Sequence, residues 1–114
     1  MAITSEIIGK FGGADVEVIP VEGVASGPKG SSEVLATIDV PAGETWLVAA
    51  IGQVTPASAT LSPRLQLGDE VSTGAPRGTH RLATTATESI SLSIKRNTNS
   101  GSDAFTGHVY AAKL

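Results

Sequence analysis

The run Glu88-Ser89-Ile90-Ser91-Leu92-Ser93-Ile94-Lys95-Arg96-Asn97 constrains this chain more than any other segment. Ile90, Leu92 and Ile94 recur at every second position, and Ser89, Ser91, Ser93 and Lys95 fill the positions around them. Successive side chains of a strand point to opposite faces, so such a run makes a strand with one dry face and one wet face. A helix would scatter the three apolar residues around its circumference. The same alternation recurs along the chain, and almost no residue with chemical reactivity interrupts it. The expected fold is all-β: an antiparallel β-sandwich with jelly-roll-like connections and about eight short strands.

Those strands are expected at 3–8, 14–21, 33–40, 45–54, 61–67, 81–85, 88–96 and 105–111. In the second, Val16 and Val18 share one face, with Asp15 and Glu17 on the other. Pro20 places that strand at a sheet edge, because proline has no N–H for the ladder. Residues 22–32 read as a loop broken by Gly23, Gly27, Pro28 and Gly30. Val34, Ala36, Ile38 and Val40 share a face of the next strand. Pro41-Ala42-Gly43-Glu44 suits a type II turn between two antiparallel strands, with Pro41 at the second position and glycine supplying positive φ. The segment 45–54 is more continuously apolar, which predicts a strand buried on both faces. Residues 97–103 read as a polar hairpin connection. Residues 1–32 form an N-terminal arm or edge strands with Gly-rich loops, and 33–114 form the sandwich domain.

At 114 residues the chain is the size of one domain and can bury a core without staples. Aromatics are only 4 %, so Val, Ile, Leu and Ala must build that core. With no cysteine, disulfides, thiolate metal sites and cysteine nucleophiles are excluded. The net charge of −3 carries no basic block, which argues against nucleic acid as a partner. No basic segment precedes an apolar run at Met1, and the longest apolar run, 46–51, is too short to span a bilayer. The expectation is a soluble protein made in a cytoplasm, with no membrane partner.

No constellation in the sequence supports catalysis. His80 and His108 are the only imidazoles and lack a metal-ligand spacing; His108 is expected to be solvated on a strand. The hydroxyls lack a G-x-S-x-G and fit the wet faces of strands. Gly9, Gly12 and Gly13 precede neither a Walker lysine nor a helix. Asp69-Glu70 is an adjacent carboxylate pair in a turn, read as solvated rather than as a calcium site. Trp46 is read as a core plug, with a sugar-stacking platform or interface anchor as the alternative. The chain is expected to be no enzyme and to need neither cofactor nor metal.

The segment Val40-Pro41-Ala42-Gly43-Glu44-Thr45-Trp46-Leu47-Val48 resembles one found in small virion proteins of tailed bacteriophages, where a P-A-G-x-x-W turn leads into the first long strand of a sandwich. The run from Ser89 to Asn97, a polar turn and then Phe105-Thr106-Gly107-His108-Val109-Tyr110 is similar to the closing hairpin of such domains. The resemblance covers residues 33–111 through short motifs. It implies a capsid decoration (cement) protein or a minor tail component, a non-enzymatic protein on the virion surface. Cement proteins of this type bind the major capsid protein and often form trimers at local threefold points. They often lay an extended arm over the shell by strand addition; here Ile3, Ile7, Ile8 and Phe11 are the candidate arm residues. The alternative is that the N-terminal pieces are edge strands of the chain's own sandwich. An alternative function is a carbohydrate- or receptor-binding module of a tail fibre, with Trp46, Tyr110 and the 97–103 loop as its surface.

Overall fold

The computed structural model describes residues 16–55, 63–72, 79–99 and 101–114. Eight strands lie within them: β1 (Val16–Ala25), β2 (Ser32–Ile38), β3 (Trp46–Thr55), β4 (Arg64–Leu67), β5 (Glu70–Ser72), β6 (Thr79–Ala86), β7 (Ile90–Lys95) and β8 (Asp103–Lys113). They form two antiparallel four-stranded sheets, ordered β1-β8-β3-β6 and β2-β7-β4-β5. Every connection between consecutive strands changes sheet except the turn from β4 to β5. This is jelly-roll topology, two Greek keys folded face to face. The expected all-β sandwich with jelly-roll connections is the fold observed.

Alternation explains how each strand contributes to the core. In β7, Leu92 and Ile94 are buried while Ser91, Ser93 and Lys95 face outward, as the period of two requires. Val48, Ala50 and Val54 of β3 and Phe105, Val109 and Ala111 of β8 meet them from the other sheet. Two glycines shape this contact. Gly52 and Gly107 stand opposite each other in the β3–β8 ladder, and the Phe105 ring fills the space above them. A Cβ on Gly52 would lie 2.5 Å from Phe105 Cζ and 2.6 Å from the Thr106 carbonyl oxygen. Trp46 is buried, and its indole N–H donates to Glu44 Oε1 at 2.8 Å. The core-plug reading of Trp46 therefore holds.

Several local expectations are corrected. β1 is an edge strand, which accommodates Pro20, but it continues to Ala25 through the expected loop. Its inward residues are Glu17, Ile19 and Val21, whereas Val16 and Val18 face outward. In β2 the register shifts between Val34 and Ala36, leaving Leu35 as an extra residue. This bulge rotates Val34 out of phase, and it is 63 % exposed instead of sharing the core face of Ile38. The 41–44 turn is present, with the Glu44 N–H donating to the Pro41 carbonyl at 3.1 Å and Gly43 at φ 82°. Pro41 is thus the first residue of the turn, not the second, and the turn carries the chain from one sheet to the other. Residues 97–103 likewise link β7 and β8 across the sandwich, so they close no hairpin. The chain turns at Gly68 and Asp69, and a short strand, β5, follows from Glu70 to Ser72. The expected strand at 3–8 lies outside the described residues.

Candidate functional site

The outer face of the β1-β8-β3-β6 sheet is the least ordinary surface of the molecule. Its rows follow from the register. Val16, Ala112, Leu47 and Thr85 make one row; Val18, Tyr110, Ala49 and Ala83 make the next; Pro20, His108, Ile51 and Arg81 make the third. Most of these side chains are apolar, yet Leu47 is 43 %, Ile51 40 % and Tyr110 40 % exposed. Beyond the third row comes a polar one, Glu22, Thr106, Gln53 and Thr79. Arg81 and Thr85 border the patch along β6. An apolar centre with a polar border is the anatomy of a protein interface.

The second sheet differs. Its outer rows are Ser32, Lys95 and Arg64, then Val34, Ser93, Gln66 and Val71, then Thr37 and Ser91. Hydroxyls, an amide and two cations prevail there, with Val34 and Val71 as the apolar exceptions. One sheet of the sandwich therefore presents a wet back, and the other a largely dry one. Large contiguous apolar patches on a monomer mark contact sites for protein, ligand or membrane. A flat sheet face is too shallow to enclose a small molecule, which leaves a broad partner surface as its natural complement.

The run 45–54 is buried on one face only, which corrects the expectation of double burial. Trp46, Val48, Ala50 and Val54 are buried, but Leu47, Ile51 and Gln53 are exposed. β3 is central in its sheet, and among the described residues only its inner face is covered.

The other candidates fall apart spatially. Ile3, Ile7, Ile8 and Phe11 lie outside the described residues, as do Gly9, Gly12 and Gly13. Of the N-terminal segment, Val16–Ala25 is an edge strand of the sandwich. Trp46 pairs with Lys113 at the end of β8, whereas the 97–103 loop leads into its start at Asp103. With Trp46 buried at the far end, Trp46, Tyr110 and that loop share no surface. His80 points into the core from β6, and His108 stands on the outer face of β8 beside Tyr110, ring centroids 6.0 Å apart. The two imidazoles lie on opposite faces of one sheet. Asp69 and Glu70 are exposed at the β4–β5 turn. Among the described residues, no three His, Cys, Asp or Glu side chains converge on a point that could hold a metal ion, and no helix is long and apolar enough to cross a membrane.

Among the described residues four polar or charged side chains are buried, Glu17, His80, Arg96 and Asp103. His80 Nδ1 lies 2.6 Å from Ser72 Oγ, a link between the edge strands β6 and β5 of the two sheets. Burial pushes the His80 imidazole below its usual pKa. Arg96 and Asp103 are buried together at the opposite corner, with Arg96 Nη1 also donating to the Gly27 carbonyl at 2.7 Å. The signal for Arg96 was present: it continues the period of Ile90, Leu92 and Ile94 and so had to point inward.

No protein-family model matches the chain, and no curated protein matches its sequence.

Proposed function

We propose that this chain is a non-enzymatic structural protein of a phage virion, which decorates the capsid and stabilises it by contact with the major capsid protein. The observation that carries the proposal is the exposed apolar face centred on Leu47, Ile51 and Tyr110. The jelly roll is compatible with this role, since viral capsid domains use it, although the fold alone hosts many functions. The resemblance of the 40–48 segment to small virion proteins points the same way. In this reading the apolar face lies against the shell and the wet face of the second sheet looks outward. Each copy contributes a modest contact, and repetition around a symmetric shell, with trimers at local threefold points, raises the overall avidity.

Quantitative mass spectrometry of purified phage particles tests the role. A decoration protein is found there in numbers approaching those of the major capsid protein. Finding the chain only in the infected cell, or in a few copies per particle, would overturn the assignment to the capsid.

A further inference from the structure

At the end of the second sheet, away from the apolar face, lies a cleft of about 250 Å³ lined by Lys29, Gly30, Arg64, Lys95, Arg96 and Asn97. Four of the chain's eight cationic residues meet there, on a protein whose net charge is −3. Arg64 and Lys95 are directly opposite each other on neighbouring strands. Like charges in that relation repel and cost stability. Among the described residues no carboxylate pairs with Lys29, Arg64 or Lys95. Asp103 is already engaged by Arg96 beneath the cleft.

The frame of the cleft is held rigidly. The Gly30 N–H donates to the Arg96 carbonyl and the Arg96 N–H to the Ser31 carbonyl, both at 2.9 Å. The Lys29 N–H donates to Asn99 Oδ1 at 2.7 Å. The β1–β2 loop, the end of β7 and the β7–β8 loop are thereby tied together around the charges. Three cations that no carboxylate among the described residues neutralises, set on a pinned backbone, form a site prepared for an anion.

We infer that this cleft binds a compact dianionic oxyanion, a phosphoryl or sulfate-type group. A monoanion would leave most of the repulsion in place. An extended polyanion fits poorly, because all 11 acidic residues of the chain are set against only four cations outside the cleft. Arg64 can offer paired N–H donors to two oxygens, while Lys29 and Lys95 act as point charges.

Isothermal titration calorimetry with inorganic phosphate at low ionic strength tests the inference on the intact chain. The expected result is saturable binding with one anion per chain, reduced at least tenfold by Arg64→Gln/Lys95→Gln. Melting in chloride adds a second reading: the double variant should melt no lower than the parent, since the like-charge pair is gone. Glycerol phosphate distinguishes the sources. Competition with inorganic phosphate indicates a phosphoryl group carried on a larger molecule, and its exclusion indicates the free anion; either outcome supports the site. Phosphate and sulfate also stabilise proteins generally by exclusion from their surfaces. A thermal gain equal in parent and double variant, or no saturable heat in the parent, would overturn the inference. Lys29→Gln, in a loop, provides the same test without altering a strand.

Discussion

Arg96 and Asp103 form an ion pair in which both side chains are shut away from solvent, with Nε and Oδ2 3.3 Å apart. Asp103 opens β8 and Arg96 follows β7, so the pair ties the two sheets at the corner where the chain crosses between them. Removing one partner strands the other charge in a dry interior. Asp103→Ala should cost about 3–5 kcal/mol, as the breaking of buried pairs does. Replacing both by apolar residues of similar size, as in Arg96→Met/Asp103→Leu, should cost much less. Urea unfolding of the two variants checks this; equal losses would mean that packing, not charge, governs the corner.

The Gly52–Gly107 contact is a second sensitive point. A Cβ on Gly107 would lie 2.6 Å from Gly52 Cα and 2.8 Å from Phe105 Cζ. Backbone cannot move aside as a flexible side chain can. Gly107→Ala should therefore destabilise the fold by about 1–3 kcal/mol, the usual cost of overpacking. A midpoint of urea unfolding unchanged from the parent would show that the β3–β8 ladder has slack at this position.

His80 predicts a pH dependence. Burial lowers its pKa in the folded state below the 6.5 of an ordinary imidazole. The unfolded chain then binds a proton more readily than the folded one over the interval between the two values. Its contribution is fully present above pH 6.5 and is lost as pH falls from there through the folded-state value. The parent should lose stability on acidification through this interval relative to His80→Gln, which lacks the imidazole. Parallel pH profiles for the two would show that His80 does not carry the effect.

Trp46 predicts a loss from cavity formation. Trp46→Ala should cost about 3–5 kcal/mol. The indole is buried, so its native fluorescence should be blue-shifted and resist a soluble quencher. Ready quenching, with stability retained on substitution, would return Trp46 to the surface and revive the carbohydrate-binding alternative.

The strands with strict alternation were legible because a period of two leaves one geometric answer; β7 needed nothing more than Ile90, Leu92 and Ile94. The sheet crossings were not legible. Pro41–Glu44 has the same turn chemistry whether the next strand returns to its own sheet or joins the opposite one. The bulge at Leu35 was also hidden, since a single extra residue inverts the phase of Val34 without altering composition. β1 was ambiguous for a different reason: Val16 and Val18 lie on the face opposite Ile19 and Val21, and pattern alone does not say which face meets the core. The apolar run of β3 was informative in a way that the expectation of double burial missed. Its outer face is apolar from Leu47 to Ile51 before it turns polar at Gln53, but the described fold covers only the inner face. The uncovered face carries the proposed function, and it became visible only when the register placed Leu47 and Ile51 beside Ala112, Tyr110 and His108.

Cosedimentation of the purified chain with undecorated capsids, for the parent and for Ile51→Lys/Tyr110→Lys, is the most direct test of that face. Both substitutions are at exposed positions, so the double variant should melt within a few degrees of the parent, as surface changes generally do. Two lysines at the centre of an apolar contact would be buried without partners, a severe penalty for binding. The parent should pellet with the capsids and the folded double variant should stay in the supernatant. Undiminished pelleting of the folded variant would contradict this and show that the apolar face is not the surface by which this protein docks.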